Sequence, residues 1–211
     1  MNVPRRVAPL LVVAAILAVV ASCVESRNPV SDEKTSKIDE RLIGTWRMGN
    51  EEDDGVWKVT KHAKQKNALD VALPENGDEH YHATAFTTTI KSKHYLSLRQ
   101  SSDDDASTPD APAGYEIYQY VFDDNNTVQV RGMDPDVILK AIADKKLRGK
   151  IVITKTTTRP ILGLFGKAEV VEEKSPEITD TPENIVRYIE AHADKCFLAK
   201  TDEVETFKRQ K

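Results

Sequence analysis

The chain has 211 residues, a formal charge of −4 from 30 basic and 34 acidic side chains, and 39% hydrophobic residues. That length and apolar content suit one domain with a core of its own and exclude a fully disordered chain. The acidic balance gives no electrostatic reason to bind nucleic acid.

The first element in chain order is a targeting segment, and it is set aside before the fold is read. Arg5 and Arg6 precede an apolar run at residues 7–20 broken only by Pro9, and Val20-Ala21-Ser22 leads into Cys23. The run is roughly 14 residues, whereas a bilayer span needs about 20. Polar residues follow Cys23 almost at once. A secretory signal is expected, through general secretion, because Val7-Ala8-Pro9 does not continue a twin-arginine pattern. Val20-Ala21-Ser22-Cys23 resembles the bacterial lipobox. That resemblance implies cleavage before Cys23, diacylglycerol on its sulfur and an acylated amino terminus. Two or three acyl chains make a stable anchor where one does not. It also implies a cell-envelope location. Val24 rather than aspartate after the cysteine points to the outer membrane facing the periplasm.

Loss of residues 1–22 removes two arginines and no acid, so the formal charge moves from −4 to −6. With Cys23 acylated only Cys196 remains, so no intrachain disulfide is expected although the compartment would permit one. Residues 23–39 are polar, contain Pro29 and offer little to bury, and read as a flexible tether. Residues 40–211 then form a single β-rich domain.

Short strands follow in series. Candidates lie at residues 41–48, 56–60, 69–73, 81–90, 95–99, 115–122 and 127–131. They are separated by an acidic turn at 50–55, the turn Pro74-Glu75-Asn76-Gly77, a polar loop at 101–114 and the hairpin turn Asp123-Asp124-Asn125-Asn126. Asp134-Pro135-Asp136 reads as an N-cap, a first-turn proline and a first-turn acid, with Val137, Ile138, Ala141 and Ile142 at helical spacing and Gly149 as a stop. A second helix starts at Thr181-Pro182-Glu183 and carries Ile185, Val186, Ile189 and Ala193. Between the helices, 150–158 and 167–172 read as strands around the apolar bend 160–166, and 203–208 as a last strand. The expected class is mainly β with two helices (α+β), an antiparallel meander closing into a small barrel or sandwich.

Gly44-Thr45-Trp46, at the start of the domain, is similar to the G-x-W signature on the first strand of lipocalins and related calycin barrels. The resemblance implies an eight-stranded up-and-down barrel, often with a pocket for an apolar small molecule. It also implies a basic side chain from late in the chain lying over Trp46, for which Lys208 and Arg209 are the candidates. Two late helices, where that family usually has one, depart from the pattern.

Catalytic and metal patterns are weak. His80 and His82 share a strand face, but a zinc site needs a third ligand and none has suggestive spacing, with His62 and His94 left as candidates by default. His192 and Cys196 lie four apart without an orienting third group. Asp103-Asp104-Asp105 lacks the alternation and glycine of a calcium loop. No catalytic residue, metal or cofactor is assigned. The expected function is non-enzymatic: a lipid-anchored envelope protein binding an apolar or amphipathic small molecule in a barrel. The alternative is a structural or interaction lipoprotein of an envelope complex with no ligand pocket. An unrecognised hydrolase is the third class.

Overall fold

The computed structural model describes residues 24–49, 56–72, 82–101, 114–158, 169–199 and 204–210. Residues 1–22, Cys23, the acidic turn, the Pro74–Gly77 turn, His80, the Asp103–Asp105 loop and the 160–166 bend lie outside the described residues. Among those described, eleven strands form one sheet: β1 Glu25–Ser26, β2 Gly44–Met48, β3 Val56–Lys61, β4 Leu69–Ala72, β5 His82–Ile90, β6 Lys93–Ser101, β7 Tyr115–Asp124, β8 Thr127–Gly132, β9 Gly149–Thr158, β10 Glu169–Ile178 and β11 Glu205–Arg209. Two α-helices, α1 Pro135–Ala143 and α2 Pro182–His192, and a 3-10 turn at Glu40–Leu42 complete the set.

Seven strands, β2 to β8, run up and down in antiparallel order. β11 inserts between β8 and β2, and β6 pairs with β7 to shut the cylinder. The result is an eight-stranded closed barrel of lipocalin-like form with two helices, the class expected from the sequence. β1, β10 and β9 extend the sheet away from β7.

Period-two alternation sorts the strand residues. Trp46, Leu69, Val71, Ala83, Ala85, Leu98, Tyr120, Val128 and Phe207 point inward and pack as one cluster. On β6 and β7 several outward residues are buried too. Tyr95 and Ile117 join Met133, Ile138 and Ala141 of the α1 region and Ile185, Tyr188 and Ile189 of α2 in a second cluster. Those two strands are therefore buried on both faces, and the helices cover the barrel wall. Burying Ile185 or Ile189, each fully enclosed, contributes about 1.5–3 kcal/mol.

Both helices start at proline as the sequence predicts. Asp134 caps α1, accepting from the backbone N–H groups of Asp136 and Val137 at 3.0 and 3.2 Å. For α2 the side chain of Thr181 makes no cap bond. The buried Asp180 carboxylate, one residue before the cap, instead ties the helix start to Arg148 ahead of β9. It accepts from Thr181 N (2.9 Å), Asn184 Nδ2 (2.8 Å), Arg148 N (2.9 Å) and Arg148 Nε (3.1 Å).

Two expectations are corrected. Residues 24–39 are not a tether. Val24 and Val30 are buried at 5% and 6%, and Glu25–Ser26 pairs with both β7 and β10. The cause is unpaired backbone elsewhere. β4 reaches only Leu69, which pairs with Ala85, so Thr87 on β5 would lack partners. Lys37 N donates to Thr87 O (3.1 Å), and the Ser36 hydroxyl bonds both Thr87 N and Thr87 O (2.9 Å each). Polar composition here signals backbone-mending, not solvation. The fold therefore takes in residues 24–39 as well as those from residue 40 on. Second, the strand expected at 167–172 runs on to Ile178 through Pro176. β1 pairs only with Glu177 and Ile178, so the proline sits where one side of β10 is an edge.

Candidate functional site

The barrel has two unlike ends. At one, β2 begins with Gly44, the β7–β8 turn lies at Asn125–Asn126, and β11 finishes with Arg209. Arg209 is paired across the ladder with Trp46 and Lys208 with Arg47. The Arg209 guanidinium stands over the Trp46 ring, 4.2 Å from its centroid. Its Nη1 donates to Ile43 O (2.7 Å), Nη2 to Arg41 O and Nε to Asn125 O (3.3 Å). The Trp46 indole N–H donates to Leu42 O at 2.7 Å. Gly44 has φ +145°, a conformation L side chains rarely adopt, and a Cβ built there would collide with Arg209 Nη1. The glycine of the G-x-W segment thus leaves room for the guanidinium. Of the two basic candidates it is Arg209 that covers the tryptophan; Lys208, next to it, faces outward and is exposed.

The floor of this end is completed by the 36–42 segment. Asp39 accepts from Tyr120 Oη (3.0 Å) and from Arg41 Nε and Nη2 (2.9 and 2.6 Å). Arg41 lies over Phe122 at 4.5 Å and contacts His94 Nε2 at 3.2 Å. His94 stacks on Tyr120 and bonds Thr89 through Nδ1 at 3.1 Å. A guanidinium can only donate, so His94 Nε2 is the acceptor and Nδ1 carries the proton. Burial opposes ionisation of Asp39, but its donors, Arg41 foremost, outweigh it and hold the carboxyl below the ordinary aspartate range. Burial, reinforced by the negative Asp39, pushes the Tyr120 hydroxyl up. This end is filled by an ion-paired plug.

Towards the other end the inward side carries further apolar residues. Met48, Trp57, Tyr118 and Val130 pack against the barrel cluster yet are only partly buried. Trp57 meets Phe207 edge-on at 5.9 Å between centroids. Glu116 accepts from the Tyr118 hydroxyl. Glu205 shares the inward face of β11 with Phe207. Burial, and then the neighbouring negative Glu116, push its pKa up although the side chain keeps accessible surface. Among the described residues this half of the barrel is therefore lined by apolar and aromatic side chains, with two carboxyl groups towards its end.

The other sequence candidates are scattered. His62 Nδ1 accepts from Lys64 N and Gln65 N in a turn, His82 is at the open end of β5 and His94 in the plug. Among the described residues no three histidine, cysteine or acidic side chains come together as a metal site. Cys196 is buried, and burial pushes its thiol up to about 12, against any role as a thiolate. Its His192 neighbour packs on Tyr188 at 4.7 Å. The plug residues Asp39, Arg41, His94 and Tyr120 and the rim residues Glu116 and Glu205 carry no motif; the only available signal was their place in the period-two pattern. No helix of the described residues is long and apolar enough to cross a membrane. No family model matches the chain, and no curated protein or solved structure matches it either.

Proposed function

We propose that the chain is a lipid-anchored protein of the cell envelope, held through acyl groups on Cys23, whose barrel binds an apolar or amphipathic small molecule without chemistry. One observation carries the binding reading: the barrel is polarised. An ion-paired plug closes one end, while Met48, Trp57, Tyr118 and Val130 offer reachable apolar surface in the other half. Ligand sites are concave, mostly apolar and supplied with a few polar groups that fix orientation. Here Glu116, Glu205 and the Tyr118 hydroxyl are placed for that task.

The test is mass spectrometry of the protein purified from its own envelope. A small molecule that co-purifies with the native chain and is absent from Val130→Arg supports the reading. Its absence from both would leave the interaction reading, which has one observation in its favour, the exposed apolar run on β9. The anchor is tested separately: an alkyne fatty acid should label the native chain and not Cys23→Ser, and equal labelling of the two would refute it.

A further inference from the structure

Three independent features lie close together on the outer part of the sheet. The first is the apolar run. Ile151, Val152 and Ile153 on β9 are 43%, 42% and 52% exposed. Successive strand residues point to opposite faces, so the β9–β10 ribbon shows apolar surface on both. Among the described residues β9 pairs with β10 alone, and its outer edge is open.

The second is charge. Residues 145–158 contain Lys145, Lys146, Arg148, Lys150 and Lys155 and no acid, in a chain whose formal charge is −4. All five basic side chains are exposed; Lys146, Arg148 and Lys155 lie against Asp144, Asp180 and Glu172, which leaves Lys145 and Lys150 outside these ion pairs. A cationic stretch leading into exposed aliphatic residues is the composition that lies at the interface of an anionic bilayer.

The third is where the chain comes in. β1 runs parallel to β10 with Glu25 opposite Glu177. On the other side of β10, Pro176 faces Ile151 and Ser175 faces Val152. One residue back from Glu25, Val24 is level with the Pro176–Ile151 row. Neighbouring strands are ~4.8 Å apart, which puts β9 about 10 Å from it. Val24 is buried and is bonded directly to Cys23, so no slack separates the anchoring residue from the domain.

We propose that the β9–β10 ribbon is a membrane-docking arm. Ile151, Val152 and Ile153 seat in the interfacial zone of an anionic bilayer, Lys145 and Lys150 meet its headgroups, and the acyl chains at Cys23 enter the same leaflet alongside. The inference rests on the reading of Cys23 as the anchor. It adds that the barrel is held close and in one orientation rather than swinging on a leash. A second copy pairing along the open edge of β9 is the rival occupant, and the experiment reads it as a separate outcome.

The experiment uses the acylated protein, purified in detergent from its own membrane and reconstituted into phosphatidylethanolamine–phosphatidylglycerol vesicles. Bimane is attached to Ile153→Cys or, as a control at the plugged end, to Asn125→Cys; Cys196 is buried and stays unlabelled. Doxyl-labelled lipids should remove most of the emission at position 153 and little at 125. The pair Lys145→Glu and Lys150→Glu, or high salt, should restore much of it. Equal quenching at the two positions overturns the docking arm, as does excimer emission from pyrene placed at 153, which would show a second copy there. A protein that takes up no alkyne fatty acid overturns the anchor and this proposal together. An acylated protein with position 153 unquenched overturns the arm alone.

Discussion

Arg209 stands 4.2 Å from the centroid of the Trp46 ring and donates to the carbonyls of Ile43 and Arg41, so the last strand of the barrel is locked onto the first. The cation–π contact and two charge-assisted hydrogen bonds together are worth about 2–4 kcal/mol. Arg209→Ala should lower the urea midpoint accordingly. Arg209→Lys should recover part of the loss, because the charge stays and the forked donors go. Gly44→Ala should cost a comparable amount through positive φ and the collision with Nη1. Midpoints unchanged by Arg209→Ala and Gly44→Ala would show the closure to be energetically idle.

The helices are held by their apolar stripes. Ile185 and Ile189 are 0% exposed, between α2 and the outer faces of β6 and β7. Ile189→Asp leaves an unpaired charge in that layer and should cost at least about 3 kcal/mol. Ile189→Val should cost only about 0.5–1.5 kcal/mol. Thermal melts decide, and equal melting temperatures for the aspartate and valine variants would contradict the packing.

Asp180 predicts a component of acid sensitivity. Burial works against its charge, but the donors at Arg148, Asn184 and Thr181 prevail and bring its pKa from 3.8 to about 2. The folded value is below the unfolded one, so the unfolded chain binds more protons between them. The stabilisation, on the order of 2 kcal/mol, is present above pH ~4 and fades as pH falls towards 2. Asp180→Asn should therefore lower stability at pH 7 and flatten its dependence between pH 5 and 2. A variant whose stability falls with acid as steeply as that of the native chain would refute the assignment.

The elements themselves were largely legible. Strands from residue 56 to residue 131, both proline-led helices and the hairpin at Asn125–Asn126 follow from alternation, helical spacing and turn chemistry, all of which are local. The misses share a cause. Residues 24–39 look solvated, yet Ser36 and Lys37 exist to bond Thr87, a need created by the shortness of β4. On β7 the run Tyr115-Glu116-Ile117-Tyr118-Gln119-Tyr120-Val121-Phe122 alternates, but aromatic or aliphatic residues occur on both faces. Nothing local says that Ile117 faces the helices while Glu116, Tyr118 and Tyr120 face the barrel.

By itself the sequence determined the mainly β class, the order of most strands along the chain and the helix starts, because these depend on neighbours within a few residues. It also contained the glycine and tryptophan of the closure. Tertiary structure alone decided that Arg209 rather than Lys208 covers Trp46, since a one-residue change of register on β11 would exchange the two faces. It alone brought Asp39, Arg41, His94 and Tyr120 into one plug and Glu116 beside Glu205 at the rim. It alone set Val24 level with Ile151 on the far side of β10. Each of these pairs is joined by strand pairing between distant segments, and pairing partners are chosen by the closing of the barrel as a whole.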